Sequence, residues 1–300
     1  MSKIACYNWN CVLDEVIERL KKNHVLLSGY KEADKVVVWC EIEEKGWLER
    51  IKETQKRGKQ VILYQMGVWA HDRVRPPWNE KLVSDVICVW GEGDKEKLIK
   101  YGTPAEKIIV TGCPIIPRLK PRVKHEGKNV VFALEHWDLG EDVVENNIVA
   151  AELRKLKGVK VITKGVQKEN HTEIFENPVE SDRFSGNHLD VVAEVLSTAD
   201  LVVAISESTF AFLAECLDIP VIIADIWTPK IRGKDPRYLE FKSNFSNGVT
   251  KVKLENLNKE ILWQLKNPQV KRKERAETAR LQGGVDIEDP VGELIKIIEK

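Results

Sequence analysis

Hydroxyl side chains are concentrated in one short turn in the second half of the chain. Two serines and a threonine lie within four positions, directly after the apolar run 201–205. Such side chains cap a helix by accepting hydrogen bonds from its free N–H groups. The same helix end carries the positive pole of the helix dipole, so this chemistry predicts a site for an anion such as a phosphate. An ordinary Ser/Thr cap without a ligand is the alternative interpretation. The residues concerned are Ser206, Glu207, Ser208 and Thr209, with Glu215 about two helical turns further along.

The elements around this turn predict a parallel α/β layer. The run 201–205 is continuously apolar, which is typical of a parallel strand that is buried on both faces. A helix over 210–217 follows, and Pro220 ends it before a second apolar strand over 221–224. Because strand and helix patterns alternate along both halves of the chain, we predict parallel sheets with helices packed on them.

A second group of functional side chains follows the predicted strand 60–64. Loops at the carboxyl ends of parallel strands are where α/β proteins bind ligands. A histidine beside an aspartate can act as a general base, and two nearby arginines can bind a phosphate. A surface loop with an ordinary histidine is the alternative. The candidate catalytic residues are His71 and Asp72, and the candidate acceptor-binding residues are Gly67, Trp69, Arg73 and Arg75.

Two segments resemble the two-domain glycosyltransferases of the GT-B fold. The segment V-W-G-E … L-x-x-Y-G-x-P-x-E-K-I-x-V-T-G-C-P over 89–114 is similar to the end of their first domain. The order of helix, S-x-A-D, strand, S-E-S-T, helix, I-P and strand over 190–223 is similar to their second domain. The same likeness extends to their relatives, the UDP-N-acetylglucosamine 2-epimerases and the CDP-glycerol glycerophosphotransferases.

The resemblance implies an α/β fold with two Rossmann-like domains whose parallel sheets face each other across a cleft. We expect an acceptor domain over 1–118 and a nucleotide-donor domain over 128–282. The segment between them is rich in proline and basic residues without periodicity, which is the composition of a linker. The last segment, 283–300, is expected to form a helix that packs back on the first domain.

The resemblance also implies roles for residues of the second domain. The serine-rich turn would hold the donor diphosphate through Ser206, Ser208 and Thr209, and Glu215 would bind the ribose hydroxyls. Glu207 stands in a turn where many relatives have a glycine, so its carboxylate must point away from the diphosphate or meet a sugar hydroxyl. His136 on the donor side and Gly112 at the lining of the cleft are further contacts that the resemblance implies. Lys164 is expected on the donor side because it stands at the carboxyl end of the predicted strand 159–163, and a solvated lysine is the alternative interpretation.

These residues lead us to expect a glycosyltransferase-like enzyme. It would transfer a sugar or glycerophosphate from a UDP-sugar or CDP-alcohol to a hydroxyl acceptor, with no metal and no bound cofactor. The acceptor would be a glycan, a polyol phosphate or modified DNA. Three alternatives stay open: a phage-type glycosyltransferase of hydroxymethylpyrimidine DNA bases, a sugar-nucleotide 2-epimerase and a non-catalytic nucleotide-binding module.

Composition limits the class of protein. The 300 residues include 47 basic and 47 acidic ones, which argues against broad, non-specific attraction to nucleic acid or membrane. The six cysteines form no C-x-x-C pair, so we expect reduced, buried thiols. No apolar run approaches the ~20 residues of a membrane span, and we expect a cytoplasmic protein. The basic run 271–275 is expected to be a solvated helix face.

Overall fold

A computed structural model describes residues 2–7, 12–39, 41, 46–67, 82–134, 142–166, 179–181, 187–205, 208–226 and 246–300. The chain divides into two compact units. The first consists of Met1–Pro117 with Arg280–Lys300, and the second of Arg118–Ala279. Each unit contains a six-stranded sheet in which the paired strands are parallel. The predicted α/β class is therefore confirmed.

The first unit alternates strands and helices along the chain. Its elements before the linker are β1 (Lys3–Cys6), α1 (Asp14–Leu20), β2 (Val25–Leu27), β3 (Lys35–Val38), α2 (Trp47–Lys56), β4 (Gln60–Tyr64), β5 (Val86–Val89), α3 (Glu92–Lys100) and β6 (Ile108–Val110). The strand order is β2-β1-β3-β4-β5-β6. Residues 61–64 of β4 are all buried, because an inner parallel strand is covered on both faces. Ile51 of α2 shares a core cluster with Val36 and Val61 of the sheet.

The second unit repeats this alternation. Its elements are β7 (Asn129–Ala133), α4 (Asp142–Leu153), β8 (Lys160–Val166), β9 (Val179–Ser181), α5 (His188–Ser197), β10 (Leu201–Ala204), α6 (Thr209–Cys216), β11 (Val221–Asp225), β12 (Thr250–Lys253) and α7 (Leu257–Lys266). The strand order is β12-β11-β10-β7-β8-β9. Val149 of α4 and Ile261 of α7 belong to the core cluster that also contains Val203 of β10.

Two helices complete the chain, α8 (Arg272–Gly283) and α9 (Pro290–Glu299). Asp289 caps α9, since its Oδ1 accepts a hydrogen bond of 2.9 Å from the backbone N–H of Gly292. Helix α9 packs on α1, where Nη1 of Arg19 lies 3.2 Å from Oδ2 of Asp289. Nζ of Lys35 donates to the carbonyl of Ile298 over 2.8 Å. These contacts fix the end of the chain within the first unit.

Hydropathy gives one further result. Across the residues that the structure describes, no helix combines the length and the apolar character that crossing a membrane requires.

Candidate functional site

The strand order of the second sheet places a topological switch between β7 and β10. From β7 the chain continues to β8 on one side, whereas β10 lies on the other side and leads to β11. The two strands are direct neighbours, with Val203 opposite Phe132. In open α/β sheets, the connections that leave such a pair in opposite directions open a crevice at the carboxyl ends of the strands. The strand order therefore places a candidate ligand site at this edge of the sheet.

Ser208 lies at that edge and caps α6. Its Oγ accepts a hydrogen bond of 3.3 Å from the backbone N–H of Ala211, and its backbone is extended with φ −108° and ψ 166°. Thr209 is the first residue of the helix. The backbone N–H groups of the first turn and the helix dipole both favour an anion at this point. The neighbouring candidates Ser206 and Glu207 lie outside the described residues.

Glu215 lies in the last turn of α6 and is 1% exposed. Its Oε2 accepts a hydrogen bond of 2.6 Å from Oγ of Ser246. Gly248 packs directly against it, because a Cβ atom at position 248 would stand 2.0 Å from the same oxygen. The carboxylate is thus closed to solvent here, and contact with a ribose requires the segment 246–248 to give way.

Lys164 brings a cation to the same edge of the sheet. It stands opposite Ala133, the last residue of β7, and its side chain is 6% exposed. Its Nζ donates to the carbonyl of Gly165. A lysine that stands level with the end of β7, two residues before the end of β8, is placed to attract an anionic ligand. His136, in the connection that leaves β7, lies outside the described residues.

Two polar residues that were not predicted for the site are buried in the first half of α4. Glu145 and Asn146 are both 0% exposed, and they precede the buried Val149 and Ala150 by four positions. Residues four apart lie on the same face of a helix, so both polar side chains belong to the face that packs on the sheet. The sequence carried this signal, since a polar pair interrupts the apolar stripe of the helix near its start.

The first unit carries the acceptor candidates. Trp69, His71, Asp72, Arg73 and Arg75 lie outside the described residues.

Gly67 is described, and its carbonyl accepts a hydrogen bond of 3.1 Å from Nε2 of Gln65. Gln65 is fully buried, donates to Oδ2 of Asp94 over 2.7 Å and accepts from the backbone N–H of Trp90 over 2.7 Å. Gln65 therefore fixes the point where the chain leaves β4 towards the candidate acceptor-binding residues.

Gly112 follows β6 and has a φ of +79°, a conformation that favours glycine. A Cβ atom there would lie 3.1 Å from Cγ of Pro290 and 3.2 Å from Cβ of Ile287. The segment before α9 therefore packs on this glycine, which gives it a structural role inside the first unit. Its predicted place at the lining of a cleft stays a prediction.

Among the described residues, no group of three or more His, Cys, Asp or Glu side chains could hold a metal ion. Cys88 and Cys113 are fully buried, and burial raises the pKa of each thiol to about 12. Both therefore stay protonated at neutral pH.

The chain is similar to known proteins in structure and not in sequence. No model of a known protein family matches the chain, and no curated protein matches it. The UDP-GlcNAc 2-epimerase from Neisseria meningitidis bound to UDP-GlcNAc is similar in structure, with a TM-score of 0.65, 12% identity and 100% of each chain covered. A co-structure of S. aureus MnaA with UDP has a TM-score of 0.65 and 10% identity, covering 100% of this chain and 96% of that one. The wall teichoic acid polymerase TagF has a TM-score of 0.61 and 13% identity, covering 99% of this chain and 88% of that one.

At these identities the likeness shows the fold and leaves the activity open. The fold is that of the GT-B-like enzymes, with two Rossmann-like domains built on parallel sheets. The resemblance inferred from the V-T-G-C-P and S-E-S-T segments is confirmed in this respect.

Proposed function

We propose that the protein is a transferase that moves a sugar or glycerophosphate from a UDP- or CDP-activated donor to a hydroxyl acceptor. The observation that carries the proposal is the capped N-terminus of α6 beside the β7–β10 switch point, with Ser208 as the cap. Two solved structures of the same fold contain UDP or UDP-GlcNAc, and a TagF variant was soaked with CDPG. A nucleoside diphosphate is therefore the first ligand to test.

The donor site has the following roles in this proposal. Ser208 and Thr209, together with Ser206, Glu207 and His136, contact the diphosphate and the transferred group. Lys164 supplies positive charge at the adjacent strand end, and Glu215 binds the ribose. As the bond from the donor carbon or phosphorus to its leaving oxygen breaks, negative charge develops on the nucleotide. The N-terminus of α6 and Lys164 stabilise that charge, so the reaction needs no metal.

The acceptor side of the reaction is assigned to the segment 65–78. An acceptor hydroxyl is a weak nucleophile and needs a base as it attacks. His71 takes the hydroxyl proton while the acceptor oxygen bonds to the transferred group. Asp72 either orients His71 or acts as the base itself. Gly67, Trp69, Arg73 and Arg75 hold the acceptor. These steps need no bound cofactor, and the expected cellular location is the cytoplasm.

Ser208→Asp separates donor binding from the stability of α6. Aspartate caps a helix as well as serine does and suits the helix dipole, so the second unit should keep its melting temperature. Its carboxylate would repel a diphosphate, so UDP or CDP affinity measured by calorimetry should fall at least about ten-fold. Asn187→Asp is the matched control, because it adds the same charge at the N-terminus of α5 on the same sheet, and it should bind normally. Unchanged affinity in Ser208→Asp would remove the turn from the donor site.

A sugar-nucleotide 2-epimerase is the second candidate, because two of the compared structures are UDP-GlcNAc 2-epimerases or carry UDP in the same fold. An epimerase converts its donor without an acceptor. Proton NMR of the UDP-sugar incubated with the protein alone distinguishes the two, since a transferase should leave the sugar configuration unchanged. A module that binds a nucleotide and converts nothing would show binding in calorimetry and no product with any acceptor, including hydroxymethylated DNA.

A further inference from the structure

Three aromatic side chains form a cluster at the carboxyl edge of the first sheet. Tyr7 directly follows β1, Trp39 directly follows β3, and Trp47 is the first residue of α2. The ring centroids of Tyr7 and Trp47 are 4.7 Å apart, and those of Trp39 and Trp47 are 6.4 Å apart with an interplanar angle of 66°. The two tryptophans therefore form the walls of a corner. All three side chains are partly exposed.

The cluster coincides with the topological switch of the first sheet. From β1 the chain continues to β2 on one side, whereas β3 pairs with the other side of β1 and leads on to β4. Ligands of open α/β sheets bind at the carboxyl ends of such a strand pair. Tyr7 and Trp39 are the residues at which these two strands end. The cluster thus occupies in the first unit the place that the capped helix occupies in the second.

A cation stands beside the aromatic corner. The guanidinium of Arg50 lies 5.1 Å from the centroid of the Trp47 ring, and its side chain is exposed. Arg50 lies one turn along α2 from Trp47, so both side chains project from the same face of the helix. A narrow recess beside them, ≈ 10 Å³ in volume, is lined by Tyr7, Tyr30 and Trp47 together with Val36 and Val61 of the sheet, and it is too small for a sugar ring. A ring would therefore lie on the outer surface of the aromatic side chains, next to the exposed charge of Arg50.

We propose that this aromatic corner, Trp39 and Trp47 with Arg50, binds a pyranose ring that carries an anionic group. The apolar C–H face of the ring packs on the tryptophans and its hydroxyls stay in water. Arg50 contacts the anionic group by a charge-assisted hydrogen bond. Identifying this ring as the acceptor rests on the proposed function, whereas its binding does not. Of the three expected acceptors, a glycan, a polyol phosphate and modified DNA, this favours the glycan over an acyclic polyol phosphate.

The charges around the corner argue against DNA as the ligand. Glu49 stands beside Arg50 in the sequence and is exposed, and Glu53, one turn further along α2 than Arg50, accepts a hydrogen bond of 3.0 Å from the hydroxyl of Tyr30. A nucleic-acid surface needs a basic patch of one sign, because phosphate neutralisation supplies most of the affinity. The mixed charge here suits a single anionic group.

Saturation-transfer NMR on the full chain tests the proposal. The probes are the 6-phosphates of glucose, galactose and N-acetylglucosamine, compared with glycerol 3-phosphate and a single-stranded oligonucleotide. At least one sugar phosphate should receive saturation at its ring C–H protons, and glycerol 3-phosphate should receive none. Trp39→Leu should weaken this binding about ten-fold or more, as loss of a stacking ring does elsewhere. Arg50→Gln should weaken binding of the phosphate and leave the matching methyl glycoside unaffected.

Trp263→Leu is the matched control, since Trp263 is a tryptophan of the second unit with 47% exposure, and it should bind as the wild type does. Trp39→Leu is preferred to Trp47→Leu because Trp47 packs against the core. UDP affinity should be unchanged in Trp39→Leu, so a failure of donor binding and a failure of this proposal are separate results. The proposal is overturned if no sugar phosphate receives saturation, or if glycerol 3-phosphate receives as much as the sugar phosphates do. It is also overturned if the oligonucleotide binds the wild type and this binding is lost in Trp39→Leu.

Discussion

Nη2 of Arg275 donates a hydrogen bond of 2.6 Å to Oδ1 of Asp218, and this pair joins α8 to the end of α6. Arg275 is 1% exposed and also donates to the carbonyls of Pro268 and Val270 over 2.8 and 2.5 Å. Asp218 has a φ of 57°, which turns the chain from α6 towards β11. The prediction that 271–275 is a solvated helix face is therefore wrong for Arg275, which anchors the helix that carries the candidate donor site.

Asp218→Asn should destabilise the second unit. Asparagine tolerates the positive φ, so the change removes the charge and not the turn. The buried guanidinium then loses its carboxylate, and the free energy of unfolding should fall by about 1.5–3 kcal/mol, as for a hydrogen bond to a charged group. Urea denaturation measures this.

Asp190→Asn is the control for that measurement. Asp190 pairs with Arg118 over 2.9 Å, but its side chain is 64% exposed. An exposed pair contributes little, so this change should cost between about 0 and 1 kcal/mol. Equal losses in both variants would mean that burial of Arg275 adds nothing to its pairing.

The sequence predicted the sheets well where strands lie inside them. The apolar run 201–205 marks β10 because an inner parallel strand is covered on both faces, and strand 60–64 is β4. It did not predict β9 and β12, which are the outer strands of the second sheet. Strand β12 has the sequence TKVK, in which only Val252 is buried, and an edge strand is protected by such lysines. These two outer strands of the second sheet therefore lack the apolar run that identifies its inner ones, whereas the outer strands β2 and β6 of the first sheet, VLL and IIV, carry one.

Some hydrogen bonds in and near the candidate site join residues that are far apart in the sequence, and these could not be predicted. The partners Asp218 and Arg275 are 57 positions apart, and a basic run alone does not show which of its members is buried. The Ser246 hydroxyl that binds Glu215 is 31 positions away from it. Ser208 was different, because a serine that follows a strand and precedes a helix predicts its own cap from local sequence. Local chemistry was predictable, and long-range polar partners were not.

Cys88 and Cys113 should resist thiol reagents while the protein is folded. Burial raises the pKa of each thiol to about 12, so almost no thiolate exists at pH 8, and neither sulfur is exposed. Alkylation with iodoacetamide at pH 8, read by peptide mass spectrometry, should modify both only after urea is added. The partly exposed Cys216 is the internal comparison. Rapid modification of Cys88 in the native protein would contradict the packing of β5.

The carboxylate of Asp289 should stabilise the packing of α9 on α1 at neutral pH, and this stabilisation should be lost as the pH falls. Its pKa is lowered, first by the hydrogen bond from the Gly292 backbone N–H and then by the charge of Arg19. A carboxyl whose folded pKa is lowered stabilises the fold above its unfolded value of about 3.9 and loses that effect as pH falls through the folded value. Asp289→Asn keeps a helix cap without the charge. Urea midpoints should therefore differ between wild type and variant at pH 5–8 and converge below about pH 4. A difference that grows on acidification would contradict this account.

Glu215 is predicted to bind the ribose of the donor, and in the structure this requires the segment 246–248 to move away from the carboxylate. The carboxylate is closed to solvent and already accepts a hydrogen bond from Ser246. If the segment 246–248 gives way to a nucleotide, a ribose hydroxyl can replace Ser246 at Oε2. Calorimetry with UDP and 2′-deoxy-UDP measures this directly. Wild type should prefer UDP, and Glu215→Gln should lose that preference, worth about 1.5–3 kcal/mol for a charge-assisted contact.

Ser246→Ala is the companion variant to Glu215→Gln. It removes the competing hydroxyl and keeps the carboxylate, so the preference for UDP over 2′-deoxy-UDP should be retained or increased. Both variants should lower the free energy of unfolding, because each breaks the buried Glu215–Ser246 hydrogen bond. The preference for ribose thus separates a ligand from a structural residue, whereas stability does not. If Glu215→Gln binds UDP and 2′-deoxy-UDP as the wild type does and only melts earlier, the carboxylate serves to hold the segment 246–248 against α6, and the ribose contact must come from another residue.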